Sequence, residues 1–290
     1  MKLLAPGISG AEGSEKGKGV IARRGLEEAQ SETAGMNPHL GQRETKKEME
    51  RGEDFLNGET VVAHFAPTQI TATEAEVARY AGGSRYRPDA KSGAEVADIL
   101  SMAAGLVTPG AAYGFHRIQQ VLHEDAIRLE GGIEVKLPVS DHWDETQYLA
   151  AAVITIGKAL EEEVKVLHAG GDWVRALFLD AAGVALLKAL DSKMVERLTE
   201  QAEELGLHLT CRMGPGLNDV PLELQRQLFR LVDPSVLGVH INDQLVMMPA
   251  KSVSFFVRLA RRPVQVGSAF NCRSCERKSC IYRMNSGIGH

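Results

Sequence analysis

The stretch Leu149-Ala-Ala-Ala-Val-Ile-Thr-Ile156 is a nearly continuous apolar run that is interrupted only by Thr155. A short run of this kind, with β-branched residues at its end, is typical of a strand that is buried on both faces. Gly157 follows the run, and a helical pattern over 158–167 then continues to Gly170-Gly171. The stretch therefore predicts a buried strand that leads through a tight turn into a helix.

Upstream of this strand, the pattern predicts two helices and three further strands. Thr60–Phe65 is expected to be a strand, and Thr71 or Thr73 can cap a helix that stops at Gly82-Gly83. A second helix fits Gly93–Leu106. The apolar period then changes to two residues on either side of Glu130-Gly131-Gly132, which predicts a hairpin. His116 and His123 are expected at the surface.

Downstream, a long helix capped by Asp172 is predicted to run to about Leu205, and a break near Asp191 is left open. The remaining elements are a strand over Leu207–Cys211, a helix from Pro221 to Val232, and strands over Gly238–Ile241, Leu245–Met248 and Ser252–Leu259. Neighbouring strands mixed with segregated helices indicate the α+β class. We expect one domain with a curved mixed or antiparallel sheet and flanking helices.

The composition narrows the classes of function. The chain has 290 residues and a net charge of −5, so it lacks the basic excess that binds nucleic acid. Its apolar runs are shorter than the roughly 20 residues that span a bilayer, and its N-terminus lacks the apolar core of a secretory signal. The protein is expected to be soluble and cytoplasmic, without nucleic-acid or membrane partners.

Residues 1–57 differ in composition from the rest of the chain. They carry 9 Lys or Arg residues against 10 Asp or Glu residues, and large apolar residues are scarce. Such a segment buries too little apolar area to offset the entropy that is lost on ordering. The sequence therefore predicts a disordered extension over 1–57, a folded domain over 58–265 and a cysteine-rich tail over 266–290. Removal of 1–57 is expected to leave folding intact.

The tail contains Cys272-Arg-Ser-Cys275-x4-Cys280, a spacing that brings soft thiolates to one metal centre. The basic residues around it favour the thiolate form. Four cysteines in the whole chain are too few for a disulfide scaffold. With Cys211 as fourth ligand the tail predicts a 4Fe–4S cluster, while His240 or His290 would complete a zinc site. Free thiols or a redox pair are the alternatives without a metal.

Two further segments are candidates for a ligand site. In Arg212-Met-Gly-Pro-Gly-Leu217, the glycines allow a close approach to the backbone, and the arginine can bind a carboxylate. An ordinary turn is the alternative. Met247–Ser254 places small and hydroxyl residues at the start of a strand. In one interpretation these residues line a cleft. In the other, the segment is an edge strand whose lysine is solvated.

Five segments in order carry a resemblance to a known family. They are Ala151–Gly157, Ala176–Gly183, Arg212-x-x-Pro215-Gly216 followed by Pro221-Leu222 and Gln225, Leu237-Gly238-Val239, and Met248–Ser254. Together they resemble the activation (S-adenosylmethionine-binding) domain of cobalamin-dependent methionine synthase, and in particular its free-standing relatives. The resemblance covers roughly residues 70–265, so the tail lies outside it.

The resemblance implies a site for S-adenosylmethionine. Arg212 carries the position of the arginine that contacts the carboxylate side of the ligand, the backbone of Gly214, Pro215 and Gly216 follows it, and Ser252 completes the predicted contacts. The chain departs from the family at Leu217, where relatives have a tyrosine. It also departs at Lys188, where relatives often have a glutamate. Both changes remove polar groups from the predicted site.

The resemblance also implies a function in reductive reactivation of a cobalamin (corrinoid)-dependent methyltransferase such as methionine synthase. The partner supplies the cobalamin, an electron donor protein supplies the electron, and an iron–sulfur cluster in the tail would relay it. Whether the chain is an activation subunit or a corrinoid reductase that no longer uses S-adenosylmethionine stays open. The alternative is a non-catalytic module that docks on a corrinoid protein and carries a structural zinc.

Overall fold

Seven antiparallel strands form the main sheet of the residues that the computed structural model describes, which are 56–83, 86–87, 90–123, 126–137, 143–217 and 220–263. The strands are β1 Val61–His64, β2 Gly110–His123, β3 Ala126–Leu129, β4 Glu134–Val135, β5 Thr146–Thr155, β6 His208–Met213 and β9 Ser252–Ala260. A separate ribbon joins β7 His240–Ile241 to β8 Met247–Met248. The strand order in the main sheet is β4-β3-β2-β5-β9-β6, and β1 pairs with the first four residues of β2.

Strands β5 and β9 lie inside the sheet. The apolar run over 149–156 forms most of β5, between β2 and β9, and is buried throughout, as predicted. Strand β9 pairs with β5 on one side and with β6 on the other. The interpretation of Met247–Ser254 as part of an edge strand is therefore wrong for the residues that enter β9. Phe255 and Phe256 are buried in the cores on opposite faces of β9, as expected for a strand inside a sheet.

Four helices cover one side of the sheet, which we call the helix face. They are α1 Glu74–Gly82, α2 Ala90–Leu106, α3 Ala159–Ala169 and α4 Trp173–Glu204. Thr73 caps α1 by accepting a hydrogen bond from the Glu76 N–H, and the Glu76 carboxylate accepts one from the Thr73 N–H. Helix α4 continues through Asp191 without a break, because its apolar stripe packs on the sheet along its whole length.

The opposite side of the sheet, which we call the second face, is covered by α5, Leu224–Leu231, together with short 3-10 turns and the β7–β8 ribbon. Helix α5 begins three residues after Pro221, later than the sequence predicts. His116 lies on the second face and is buried, at 7% exposure, so the expectation of a surface position is wrong. Antiparallel strands with segregated helices confirm the α+β class.

No helix among the described residues combines the length and the apolar character that crossing a membrane requires.

Candidate ligand site at the end of strand β6

A β-bulge in β6 decides which face Arg212 occupies. Leu209 lies opposite Leu259, but Arg212 lies opposite Val257, so three steps along β6 match two along β9. Residues directly opposite each other in a ladder share a face, and Val257 belongs to the core under the helices. Regular pairing of the same residues, without the bulge, would place Arg212 opposite Phe256, on the second face. The bulge therefore turns Arg212 towards α4.

Arg212 meets an aromatic ring and a carboxylate on the helix face. Its guanidinium carbon lies 3.6 Å from the centroid of the Phe255 ring. Its Nη1 forms an ion pair with Oδ1 of Asp191 on α4, and the two side chains are 10% and 8% exposed. Lys188, one turn earlier on α4, donates to the other Asp191 oxygen over 2.7 Å. Each carboxylate oxygen of Asp191 therefore has a cationic partner.

Burial disfavours the charged form of Arg212, and the carboxylate of Asp191 favours it. Desolvation lowers the pKa of Arg212, and the charge and hydrogen bond of Asp191 partly offset that effect. A guanidinium stays protonated in proteins even so. A buried carboxylate also needs charged or hydrogen-bonding partners. The pair is therefore an internally balanced charge next to the end of β6.

A tight turn follows Arg212 and Met213. The Leu217 N–H donates to the Gly214 carbonyl over 3.0 Å, and the Gly216 N–H donates to the Val220 carbonyl over 2.9 Å. Gly216 has φ +78, a conformation that favours glycine. Leu217 is 46% exposed at the tip of the turn. The turn presents an apolar side chain where the family resemblance expects a phenol, and its hydrogen bonds fit both a ligand-binding loop and an ordinary turn.

Ser252 lies at the start of β9 and is engaged by its own neighbours. It is buried, at 7% exposure, and its hydroxyl is 2.8 Å from the Pro249 carbonyl oxygen and 2.9 Å from the Thr155 hydroxyl. Beside it, Lys251 forms a 2.6 Å ion pair with Asp180 of α4. A Cβ on Gly183 would come within 3.1 Å of the Lys251 side chain. Gly183 therefore allows close packing of α4 against the Lys251 side chain.

The predicted ligand residues fall into two places rather than one. Arg212, Gly214, Pro215 and Gly216 follow one another at the end of β6. Ser252 is five residues along β9 from the partner of Arg212, which corresponds to about 17 Å at the rise of a strand. The turn after β6 runs back along β9 in the direction of Ser252, since the two strands are antiparallel. Ser252 is four residues from Phe256 in a regular stretch of β9, so it belongs to the second face, whereas Arg212 belongs to the helix face.

The predicted metal ligands Cys272, Cys275 and Cys280 lie outside the described residues, as does His290. Cys211 lies in β6, one residue before Arg212, and His240 lies in β7. Within the described part of the chain, no group of three or more His, Cys, Asp or Glu side chains is placed to hold a metal ion. The metal site of the tail stays a prediction.

Asp191 was not predicted from the sequence to be a partner of Arg212. A signal for it exists in the sequence. Asp191 interrupts an apolar helical stripe that includes Leu187, Met194 and Leu198. An acidic residue on the buried face of a helix calls for a cation from another element. The sequence alone does not say which cation, because the bulge in β6 decides that Arg212 reaches it.

Comparison with known proteins gives a structural relative. No protein-family model matches the chain, and no curated protein matches its sequence. Among solved structures, the reactivation domain of MetH bound to AdoHcy matches with a TM-score of 0.54 at 12% sequence identity. The match covers 72% of this chain and 81% of that one. The chain has the fold of the MetH reactivation domain. At this identity the likeness establishes the reactivation-domain fold alone, and the α+β prediction is confirmed by it.

Proposed function

We propose that this protein is an accessory factor in the reductive reactivation of a cobalamin (corrinoid)-dependent methyltransferase such as methionine synthase. The observation that carries the proposal is the reactivation-domain fold, shared over most of both chains with a domain whose structure contains AdoHcy. AdoHcy is what remains when S-adenosylmethionine gives up its methyl group. A chain with this fold is therefore suited to hold the methyl donor while a partner supplies the corrinoid.

The reaction that such a factor serves is a one-electron reduction coupled to a methyl transfer. One electron from a donor protein reduces the partner's cob(II)alamin, and the reduced cobalt takes the methyl group of S-adenosylmethionine as its carbon–sulfur bond breaks, which leaves methylcobalamin and AdoHcy. Methyl transfer from a sulfonium needs close, oriented contact between donor and acceptor. The contribution of this chain is to bind and orient the adenosyl compound at the surface that faces the partner.

The end of β6 is our proposed ligand site, with Arg212 and the backbone of Gly214, Pro215 and Gly216 as its contacts. Arg212 is held over the Phe255 ring and is paired with Asp191, so it has a fixed position at this end of the strand. Ser252 is proposed to shape the far part of the site, since its hydroxyl already bonds to Thr155 and Pro249. The glycines keep side chains away from the turn.

The cysteine tail is our proposed electron relay. Cys272, Cys275 and Cys280, with Cys211 as fourth ligand, would hold a 4Fe–4S cluster. A cluster of this kind passes single electrons at potentials that the protein sets through its surroundings. With zinc in its place, the tail would be structural, and the chain would serve as a docking module without a redox function.

The test begins with the full chain purified without oxygen. Iron, sulfide and zinc are measured first, and the protein is then added with S-adenosylmethionine and a low-potential reductant to a corrinoid methyltransferase in the cob(II)alamin state. The expected result is faster formation of methylcobalamin, followed by its absorbance, in the presence of the chain. Cys275→Ser is expected to slow the reduction, and Arg212→Gln is expected to weaken ligand binding.

Arg226→Gln is the matched control for Arg212→Gln. Arg226 is exposed on α5, and its replacement removes the same charge. Absence of any acceleration by the wild-type chain would overturn the proposed function. One zinc per chain without iron would replace the electron relay by the docking alternative. Acceleration that does not depend on S-adenosylmethionine would instead identify a corrinoid reductase.

A further inference from the structure

The guanidinium that our proposed ligand site offers to a carboxylate already has a carboxylate. Asp191 reaches Arg212 from α4, and both side chains are nine-tenths buried. The ring of Phe255 lies under the guanidinium at 3.6 Å, so the arginine is held between an aromatic surface and an acid of the same chain. The carboxylate of Asp191 is the same chemical group that the amino-acid end of AdoHcy would present.

A ligand carboxylate would therefore have to compete with Asp191. Displacing Asp191 leaves a buried carboxylate whose remaining cationic partner is Lys188, which is itself 47% exposed. Leaving a buried charge with fewer partners carries a large penalty, because its desolvation is no longer offset. The free energy gained from the new ion pair with the ligand is then offset by the loss of the internal ion pair.

The surroundings of the pair favour an apolar or aromatic ligand over a second charge. The tip of the turn is Leu217, exposed and apolar. Phe255 lies below the guanidinium and is fully buried, so it supports the arginine and does not itself contact a ligand. Lys188, the other cation near the site, is bound to Asp191 as well. Within the described part of the chain, the end of β6 thus combines apolar surface with a charge pair that is already balanced.

We infer that Asp191 fills the carboxylate position of the site, so that the chain recognises adenosyl thioethers and sulfonium compounds by their nucleoside end and with little regard to the amino-acid carboxylate. Asp191 is then the residue that determines specificity. This inference rests on the proposed function, because it assumes an adenosyl ligand at Arg212. It adds the ligand class, which includes compounds without an amino-acid end.

Calorimetric titration of the full chain with AdoHcy and with 5′-methylthioadenosine, which lacks the amino-acid end, tests the inference. Wild type is expected to bind the two with Kd values within about 3-fold of each other. In Asp191→Asn the competing charge is gone, so AdoHcy is expected to bind at least about 10-fold more tightly than 5′-methylthioadenosine. The affinity for 5′-methylthioadenosine is expected to stay unchanged.

The matched control is Glu196→Gln, which removes one negative charge from the same helix. Glu196 pairs with Lys193 at the surface, with 58% of its side chain exposed, and is not paired with Arg212. This variant is expected to keep the wild-type ratio of affinities. If Asp191→Asn follows the control, a general change of charge and not the position of Asp191 is responsible, and the inference is wrong.

Wild type alone decides the matter if Asp191→Asn does not fold, as judged by circular dichroism. A preference of wild type for AdoHcy over 5′-methylthioadenosine greater than about 10-fold would overturn the inference. Binding of neither compound by wild type or variant would overturn it too. The proposed function is judged separately, by formation of methylcobalamin in the reactivation assay, so the two can fail independently.

Discussion

The two faces of strand β9 bury polar groups in different ways. On the helix face, the buried Arg212 of the neighbouring strand is neutralised by Asp191. On the second face, Arg258 is 2% exposed and lies 4.7 Å from the centroid of the Trp143 ring, and Ser254 donates to the Gln225 side chain over 2.8 Å. Both faces are thus polar in part, although both lie inside the protein.

This difference between the two faces distinguishes residues that stabilise the fold from residues that also affect ligand binding. The groups of the second face are enclosed by α5 and by the loops around it, so their hydrogen bonds and ring contacts serve packing. The ion pair of the helix face lies beside an exposed turn at the end of β6. The pair therefore borders the proposed ligand site, and a change in it also changes the surroundings of a ligand. We therefore expect changes on the second face to alter stability alone, and changes near Arg212 to alter binding as well.

The largest expected effect comes from the two adjacent phenylalanines of β9, which are both fully buried on opposite faces. Phe255→Ala and Phe256→Ala are each expected to lower the free energy of unfolding by about 3–5 kcal/mol, because each leaves a cavity. Only Phe255→Ala removes the ring under Arg212, so only this variant is expected to weaken AdoHcy binding. Urea unfolding and titration measure the two effects. Equal loss of binding in both variants would break the comparison.

A pH effect is expected from the second face. Burial lowers the pKa of His116 from 6.5 to about 4, against a smaller opposing effect of a hydrogen bond to the Leu231 backbone. Between these two pH values His116 is protonated in the unfolded chain and neutral in the folded chain. This contribution to stability is therefore complete above pH 6.5 and is lost as the pH falls towards 4, by about 3 kcal/mol.

Urea unfolding at pH 7 and pH 4.5 measures the loss. His116→Gln is expected to flatten this part of the pH dependence, whereas His64→Gln, a change at an exposed position in β1, is expected to retain it. The same slope in wild type and His116→Gln would show that other groups cause the acid sensitivity.

The smallest expected effect compares one hydrogen bond on each face. Ser254→Ala leaves the buried Gln225 oxygen without its donor and is expected to cost about 1–3 kcal/mol. Tyr113→Phe removes the acceptor of a 2.9 Å bond from Arg197, but Arg197 is exposed and can turn to water, so about 1 kcal/mol or less is expected. Thermal unfolding measures both variants. A larger loss for Tyr113→Phe would contradict the assignment of the second face to stability.

Much of the local structure follows from the sequence. The buried run over 149–156, the cap at Thr73, the hairpin around Gly131-Gly132 and the long helix from Asp172 all appear as predicted, because periodicity and capping are properties of short segments. The interior position of β9 and the burial of His116 do not follow in this way. They depend on which strands become neighbours, and neighbours are distant in the chain.

The candidate site shows the same division. The sequence by itself determined that an arginine and a glycine-rich turn follow a strand, and that the cysteines of the tail have the spacing of metal ligands. Only the tertiary structure decided where Arg212 points. The bulge in β6 places it on the helix face, where Asp191 and Phe255 hold it, whereas a regular register would place it on the second face. The physical reason is that side chains alternate along a strand, so the register against β9 selects the partner.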